Sequence, residues 1–367
     1  MSLPVSIVIP TRNAMGVIEP HIAAVRECLA AAQEVIVVDS SEDGTLDYLR
    51  SELTGANIRF FERPRGLYES WNFATQQATA PYIYFSTMGD TIEPDGLRHL
   101  LDAIQSCGAD VIISPPGMFN EAGEAIETRW PIHSLVENFS TREVRILPPV
   151  EAFLFSISCV PETVLGSSAS NLYRREFLAA HPFPEGWGHC ADSAWLTSHS
   201  LTARIAVTPQ AVARFVVHAK ESAGGFAPAV ERTHFDDMFR RAGESLEQSD
   251  LPAPEREILQ GWLTALRRRY QQFFDRLDMH VVYFARRDER IRAALERGDK
   301  FKARVASLEE EIHLTRGKLV DIRADMGAYE RIHRSLPRMI ALYFKVKMQQ
   351  ARKALAMLGG KSKTAGT

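Results

Sequence analysis

The 367-residue chain lacks several features that would assign it to a membrane or secreted class. It has only four cysteines, none in a CxxC pair, which argues against a disulfide framework or a structural zinc site. No run of about 18 or more apolar residues occurs, so no transmembrane helix is expected. The first residues, MSLPVSIVIP, lack the basic leader of a signal peptide. These absences favour a cytoplasmic globular protein.

Charge is unevenly distributed, although the net charge is only −3. Residues 331–367 contain nine Lys or Arg and no Asp or Glu, which leaves −12 for residues 1–330. Within residues 335–358 the apolar side chains share one helical face, a pattern typical of an interfacial amphipathic helix. We expect this segment to contact an anionic membrane surface, although the same face would also suit packing on the rest of the protein. No nucleic-acid partner is expected.

Strand signals end at about Val230. Between residues 291 and 329, apolar or small residues recur at alternating spacings of three and four, which is a heptad seam interrupted at Gly298 and Thr315. Such a seam needs a partner helix, either from this chain or from a second copy in a homodimer. The sequence therefore predicts an α/β domain over 1–230, a helical and coiled-coil region over 231–334, and a basic amphipathic helix with a disordered tail over 335–367.

Apolar strand patterns alternate with amphipathic helix patterns in the first part of the chain. The predicted strands cover residues 5–9, 34–39, 58–61, 82–85 and 110–113, with closing strands at 205–207 and 212–218. Helices between successive strands imply a mostly parallel sheet with right-handed crossovers. Residues 117–161 show no clean period and several prolines, so we interpret them as loop-rich.

The stretch 63–91 contains a glycine turn, an amphipathic helix and a buried strand. The strand pattern ends before Met88-Gly89-Asp90. A carboxylate beside a glycine, at the carboxyl end of a buried strand, stands where open α/β sheets bind ligands. Trp71 and Phe73 have helical spacing, so we expect them in the core rather than in a binding platform.

Four motifs occur in one order along the chain: VSIVIPTRN, VIVVDSSEDGT, GLYESWNFATQQATAPYIYFSTMGD and HCADSAW. In these motifs, residues 5 to about 218 resemble a bacterial-type family 2 inverting glycosyltransferase. The resemblance implies the GT-A fold, to which the helical part is added. It also implies transfer of a sugar, as in hexosyltransferases, from a nucleotide-diphosphate sugar to a hydroxyl of a lipid-linked or polysaccharide acceptor. Such an enzyme would work in the cytoplasm or peripherally on the inner face of the plasma membrane.

The resemblance also implies a donor pocket at the first strand ends. A carboxylate at Asp39 suits the N–H groups of a base and the hydroxyls of a ribose. Residues 11–13 would line the same pocket through backbone groups, and they would also suit capping of the first helix. The implied donor-contacting residues are Pro10, Thr11, Arg12, Asn13, Asp39, Gly66, Tyr68, Asn72 and Gly89.

A divalent cation, Mg²⁺ or Mn²⁺, neutralises the leaving diphosphate in this family. The family's DxD motif is reduced here to Thr87-Met88-Gly89-Asp90, so one carboxylate is retained. The resemblance implies that Asp90 holds the metal together with diphosphate oxygens, and that His218 completes the site. The alternatives are that Asp90 stabilises a turn and that His218 is a structural residue at a strand end.

An inverting transfer needs a base that takes the proton of the acceptor hydroxyl. Asp192, in HCADSAW, matches the family's acceptor-side acid and is the candidate base, while Gly166 and Ser167 would form the loop beneath the sugar. The alternative for Asp192 is the N-cap of the helix that contains Trp195. The alternative function is a catalytically weak glycosyltransferase-like scaffold that acts through its coiled coil and basic tail.

Overall fold

The computed structural model describes residues 2–138, 142–160, 162–217, 228–295, 310–316 and 318. His218, most of the heptad seam and the segment 335–358 lie outside the described residues. The chain forms two compact units, Met1–Thr264 and Ala265–Thr367.

Strands alternate with helices along much of the described chain. The strands are β1 (Leu3–Thr11), β2 (Ala32–Asp39), β3 (Ile58–Glu62), β4 (Tyr82–Phe85), β5 (Thr91–Ile92), β6 (Val111–Ile113), β7 (Gly117–Asn120), β8 (Arg145–Ile146), β9 (Asn171–Arg174), β10 (Ile205–Val207) and β11 (Ala213–Val217). The helices are α1 (Ile18–Ala31), α2 (Thr45–Glu52), α3 (Leu67–Gln77), α4 (Pro94–Cys107), α5 (Pro131–Asn138), α6 (Pro149–Cys159), α7 (Arg175–Ala180), α8 (Ala191–His199), α9 (Pro228–Glu247) and α10 (Ala253–Leu295).

Eight strands form one mixed sheet in the order β3-β2-β1-β4-β9-β6-β10-β8. The four strands from β3 to β4 are parallel, and β6 is parallel to β10. Strand β9 runs antiparallel between β4 and β6, and β8 is antiparallel at the edge. The predicted mostly parallel α/β sheet is therefore confirmed.

The central strands are apolar on both faces because helices cover both faces. Ile7 and Ile9 belong to a core that includes Ile22 of α1 and Leu100 of α4. On the strand β4, Phe85 stacks on Trp71 of α3, with ring centroids 4.2 Å apart. Parallel strands covered in this way appear in a sequence as continuous hydrophobic runs, which is why they were predictable.

The strand order reverses between β1 and β4, because β2 and β3 lie on one side of β1 and β4 lies on the other. Open α/β sheets bind ligands outside the carboxyl ends of the strands at such a reversal. Thr11 ends β1, Asp39 ends β2, and Asp90 follows β4 by five residues. These three side chains therefore gather at one edge of the sheet.

A second, three-stranded sheet has the order β5-β11-β7 and begins directly after Asp90. Thr91 of β5 pairs with Arg214 of β11 in antiparallel register. Strand β11 therefore runs beside the segment that carries Asp90 and ends at Val217, immediately before His218.

The loop-rich interpretation of residues 117–161 was wrong. This region contains β7, α5, β8 and α6, and every residue from Ala152 to Cys159 of α6 is buried. A helix that is apolar on all sides shows no 3.6-residue period, because it has no polar face. Such a helix cannot be recognised from periodicity.

The described residues from 228 onwards are helical except for residues 248–252, and they contain no strand. Helix α9 packs on α8, and its His234 stacks on Trp187 with ring centroids 4.9 Å apart. Within the part of the chain that the structure describes, no helix has both the length and the apolar character needed to cross a bilayer.

Candidate active site

The carboxylate of Asp39 joins the loops that follow β1 and β2. Asp39 is buried, and it accepts hydrogen bonds from Thr11 Oγ1 at 2.5 Å, from Ser41 Oγ at 2.6 Å and from the Ser41 N–H at 3.0 Å. A carboxylate offers about four acceptor positions. These three bonds leave about one position for a donor group of a ligand.

Asn13 holds the same two loops together through its main chain and side chain. Its N–H donates to Ser41 Oγ at 2.8 Å, and its Oδ1 accepts from the Glu42 N–H at 2.9 Å. Its φ of 47° is in the left-handed region, which Asn tolerates better than most residues. Helix α1 begins instead after Val17, without a side-chain cap. Residues 11–13 therefore do not cap the first helix.

The neighbours of Asn13 differ in exposure. Pro10 is buried at the end of β1, whereas the Arg12 side chain is exposed at the carboxyl edge of the sheet. A donor contact for either residue stays a prediction.

Asp90 is buried and lies in the turn between the two sheets. Its Oδ2 accepts from Thr87 Oγ1 at 3.1 Å and from Ser167 Oγ at 2.9 Å. Gly89 before it has a φ of 93°, which a residue with a Cβ adopts only with strain. The structure therefore brings together Asp90 and the Ser167 loop, which lie 77 residues apart in the sequence.

Gly166 makes the Ser167 loop possible. Its φ is +60°, and a Cβ at this position would lie 2.9 Å from Cε3 of Trp130. A larger residue would have to displace the indole ring or the loop. Ser167 Oγ also accepts from the Ala169 N–H at 3.1 Å, so the loop is fixed on both sides of the contact with Asp90.

The residues around Asp90 fit a hard cation that is shared with a ligand. They provide one carboxylate and nearby hydroxyl oxygens, and no group of three or more His, Cys, Asp or Glu suitable for a metal occurs among the described residues. Mg²⁺ is commonly bound by one or two carboxylates, with phosphate oxygens and waters completing the octahedron. This donor set suits a cation bound together with a diphosphate, rather than one enclosed by protein side chains.

Asp192 lies in the first turn of α8. The N-cap of this helix is Cys190, and no side chain makes a capping hydrogen bond, so the N-cap interpretation of Asp192 was wrong. Its Oδ1 accepts from the Ser193 N–H at 2.7 Å. Desolvation raises the pKa of Asp192 to about 7, and hydrogen bonds from Ser193 and the Tyr68 hydroxyl offset that rise only in part. A carboxyl group with a pKa near 7 can accept a proton at neutral pH.

Tyr68, predicted as a donor-loop residue, is buried near Asp192. Its ring packs on Trp71 and Phe183, with centroids 4.9 Å and 5.3 Å away. Burial raises the pKa of Tyr68 well above its ordinary value, so the hydroxyl stays neutral and able to donate. Trp71 itself is buried, as predicted, and Phe73 is half-buried with its ring 5.1 Å from Phe61.

Gly66 and Asn72 are at two different points of α3. Gly66 is the N-cap of the helix and follows the end of β3 by four residues, and its donor contact stays a prediction. Asn72 binds the main chain of Phe183 with both ends of its amide, at 2.8 Å and 2.9 Å. Its donor contact stays a prediction, since these bonds hold a different loop.

Sequence reasoning missed Glu69, whose Oε1 accepts from the Gly186 N–H at 3.0 Å. It also missed a groove of about 550 Å³ between α3, α8 and residues 182–185. No motif marks either feature, because both arise from segments more than 100 residues apart. The sequence offered one signal for the position of Glu69: it precedes Phe73 by four residues, so the two side chains lie on one side of α3.

Comparison with known proteins bears on the family pattern and the fold of the chain. Residues 6–179 match the model of the family described as glycosyl transferase family 2. Among solved structures, the chain is similar to S. aureus TarS 1-349 in complex with UDP-GlcNAc, with 19% identity, 70% of this chain and 69% of that chain covered, and a TM-score of 0.52.

Another similar structure is glucosyl-3-phosphoglycerate synthase from Mycobacterium tuberculosis in complex with Mn²⁺, UDP and glucosyl-3-phosphoglycerate. It has 20% identity to this chain, 65% of this chain and 80% of that chain are covered, and the TM-score is 0.43. No curated protein matches the chain. The family match confirms that the chain resembles the family 2 glycosyltransferases, and the sheet and its flanking helices have the GT-A fold.

Proposed function

We propose that this protein transfers a sugar from a UDP-sugar to a hydroxyl acceptor with inversion at the anomeric carbon. The observation that carries the proposal is Asp192, a carboxyl group in the first turn of α8 whose pKa is raised by desolvation to about 7, in a chain with the GT-A fold. The UDP-GlcNAc bound to the S. aureus neighbour guides the choice of donor class. The proposed enzyme is a hexosyltransferase.

In the proposed reaction, the nucleotide lies at the carboxyl ends of β1 and β2. There Asp39 has about one acceptor position left for a base N–H or a ribose O–H, and the loop containing Arg12 and Asn13 borders the pocket. The Gly66 turn would approach the donor from the carboxyl end of β3. These contacts would orient the sugar before the chemical step.

Asp192 is the proposed general base. As the acceptor oxygen attacks the anomeric carbon, its proton passes to the Asp192 carboxylate, and the bond from that carbon to the diphosphate oxygen breaks with its electron pair leaving on the diphosphate. A divalent cation held by Asp90, with His218 as a proposed further ligand, would neutralise charge on the leaving group when bound. The proton on Asp192 is then released to water.

A donor screen with matched variants tests this proposal. UDP-, GDP- and dTDP-sugars are assayed with Mg²⁺ or Mn²⁺ for thermal stabilisation and for release of nucleoside diphosphate. We expect a UDP-sugar to raise the melting temperature of the wild type. Asp90→Asn should lose the part of this stabilisation that depends on the metal, and Asp192→Asn should bind the donor but release nucleoside diphosphate slowly. Asp102→Asn, at an exposed carboxylate of α4, is the control and should match the wild type. The absence of binding by every donor with either metal would overturn the proposal.

The acceptor and the cellular site complete the proposal. We propose a lipid-linked or polysaccharide acceptor at the inner face of the plasma membrane, with residues 335–358 on anionic lipid and residues 291–329 in a homodimer. The division into parts 1–230, 231–334 and 335–367 belongs to the same proposal. The full chain should float with anionic vesicles, and a chain truncated after Glu330 should not. Equal flotation of the two chains would contradict the proposed membrane contact. Light scattering that returns a monomer mass would contradict the dimer.

A further inference from the structure

Trp130 lies beside the loop that binds Asp90. A Cβ on Gly166 would lie 2.9 Å from Cε3 and 3.4 Å from Cζ3 of the indole, so the ring packs closely against this glycine. The next residue, Ser167, donates a hydrogen bond to Asp90 Oδ2 at 2.9 Å. The indole therefore contacts the immediate neighbour of a residue that binds the proposed metal ligand.

A second contact places the indole on the three-stranded sheet that begins after Asp90. Phe215 of β11 packs on the indole with ring centroids 4.4 Å apart and an interplanar angle of 64°, close to the edge-to-face arrangement that aromatic pairs favour. The preceding residue, Arg214, pairs with Thr91, which follows Asp90 directly. Two separate segments next to Asp90 thus hold the same ring.

The main chain of Trp130 is fixed as well. Its N–H donates to His133 Nδ1 at 3.1 Å, and its carbonyl accepts from the His133 N–H at 3.0 Å. His133 Nε2 in turn donates to the Pro116 carbonyl at 3.0 Å. Pro131 follows and disfavours helical backbone angles for Trp130. Because the residue is held in place before a ligand arrives, little conformational freedom is lost when a ligand covers the ring.

Part of this indole remains open to solvent. Trp130 is half-buried. Three other tryptophans are buried, namely Trp71, Trp187 and Trp195. The fifth, Trp262, is 38% exposed and lies on α10. Trp130 therefore combines an accessible ring with a position at the proposed donor site, which the other four do not.

A hexopyranose is the ligand that such a ring suits. The C–H groups of a pyranose form a weakly polar face, and covering an indole with this face removes apolar surface of both partners from water. The sugar hydroxyls at the ring edge need polar partners. The hydroxyls of Thr87 and Ser168 lie 3.1 Å apart beside Asp90, and both residues are half-buried. Aromatic surface with a few polar groups is typical of small-molecule sites.

We propose that Trp130 is the platform on which the active site binds a hexopyranose ring, with the apolar face of the sugar on the indole and its polar edge toward the Asp90 turn. This inference rests on the proposed function and adds a binding residue to it. Two sugars have this chemistry: the one carried by the donor and the one at the end of the acceptor. Separate measurements on the two sugars distinguish these sources.

The first measurement compares a nucleotide with its sugar conjugate. Isothermal titration with Mg²⁺ gives the dissociation constants of UDP and UDP-GlcNAc for the wild type, Trp130→Ala and Trp130→Phe. If the platform holds the donor sugar, Trp130→Ala should weaken UDP-GlcNAc about tenfold and leave UDP within about twofold. Trp130→Phe keeps an aromatic face and should weaken UDP-GlcNAc by about threefold at most. Equal weakening of UDP and UDP-GlcNAc would overturn the inference.

The second measurement uses sugars without a nucleotide. Methyl glycosides of glucose and N-acetylglucosamine are added to the protein with UDP and Mg²⁺, and saturation-transfer NMR detects their contact with the protein. If the platform holds the acceptor sugar, saturation should reach the ring C–H protons in the wild type and fall by about fivefold or more in Trp130→Ala. The dissociation constants of UDP and UDP-GlcNAc should then stay unchanged.

Trp262→Ala is the matched control, because it removes the exposed tryptophan of α10. This variant should bind every ligand as the wild type does. A loss equal to that of Trp130→Ala would show that any accessible indole has the effect, and it would overturn the role of Trp130. If Trp130→Ala does not fold, Trp130→Leu replaces it, since leucine keeps an apolar side chain and removes the aromatic face. The same losses are expected for it.

The two measurements also separate this inference from the proposed function. A wild type that binds no nucleotide sugar, but whose contact with the glycosides depends on Trp130, would support the platform and reject the proposed function. A wild type that binds UDP-GlcNAc equally well without the indole, and that shows no glycoside contact dependent on Trp130, would overturn the inference and leave the proposed function intact. The absence of binding by every ligand would overturn both.

Discussion

Glu34 and Asp192 are carboxyl groups largely removed from water in the same α/β unit, yet their pKa values move in opposite directions. At the amino end of β2, burial would raise the pKa of Glu34, but hydrogen bonds from Ser6, Thr79 and Ala80 outweigh it and lower the pKa to about 2. The Arg59 guanidinium adds an ion pair at 2.6 Å. For Asp192 desolvation dominates, and the pKa rises to about 7.

The difference shows that the balance between desolvation and hydrogen bonding decides what a carboxylate can do. Glu34 receives bonds from two main-chain N–H groups, two hydroxyls and an arginine, so it stays ionised and joins β1, β2, β3 and the start of β4. The hydrogen bonds to Asp192 do not offset its desolvation, so this carboxyl group keeps a proton affinity suited to neutral pH. The first arrangement suits stability, and the second suits proton transfer.

Among the variants that test this comparison, Asp192→Asn is expected to have the largest effect on the rate of transfer. Removal of a general base typically lowers the rate by about 10²- to 10⁴-fold, so transfer should fall by that factor. Folding should be retained, since the amide lacks the cost of burying a charge. Initial rates and circular dichroism check the two parts. A rate within threefold of the wild type would contradict the base assignment.

Glu34→Ala should give the largest loss of stability. It leaves the Arg59 guanidinium and several buried donors without their carboxylate, which costs about 3–5 kcal/mol. Urea unfolding of the variant measures the loss. Glu62→Ala is the control on β3, because Glu62 makes an exposed ion pair with Arg50, which is worth less than about 1 kcal/mol. Similar losses in the two variants would contradict the role of Glu34.

The two carboxylates should affect stability over different pH ranges and with opposite signs. The folded-state pKa of Glu34 is depressed from 4.5 to about 2, so its contribution is present above about 4.5 and is lost as pH falls toward 2. The folded-state pKa of Asp192 is raised from 3.8 to about 7, so the wild type loses stability as pH rises from about 4 to 7.

Differences between variant and wild type isolate these contributions. Asp192→Asn should become more stable relative to the wild type between pH 4 and 7, and Glu34→Gln should approach the wild type between pH 4.5 and 2. Thermal unfolding across pH 2.5–8 measures both trends. A constant difference for either variant would contradict the corresponding pKa shift.

Thr11→Val is expected to have the smallest effect. It removes one of three hydrogen bonds to the Asp39 carboxylate, which costs about 1 kcal/mol of unfolding free energy. Donor affinity should fall only slightly, since two bonds still orient Asp39. Denaturant unfolding and donor titration give the two values. A loss above about 3 kcal/mol would place Asp39 with Glu34 as a mainly structural carboxylate.

Local patterns in the sequence determined the parallel strands, the carboxyl-end positions of Asp39 and Asp90, and the family resemblance. Continuous apolar runs and polar residues at their ends are properties of adjacent residues, so they can be read along the chain. Helix α6 could not be recognised, because a helix buried on every side has no alternating pattern.

Only the tertiary structure decided the environments of the side chains. The contact of Ser167 with Asp90, the hold of α3 on the segment before Asp192, and the opposite pKa shifts of Glu34 and Asp192 all join residues distant in the sequence. A pKa depends on desolvation and on donors brought by other elements, and neither is a property of neighbouring residues. The sequence therefore determined where carboxylates stand at the strand ends and in the motifs. The fold decided which of these carboxylates keeps its proton near neutral pH.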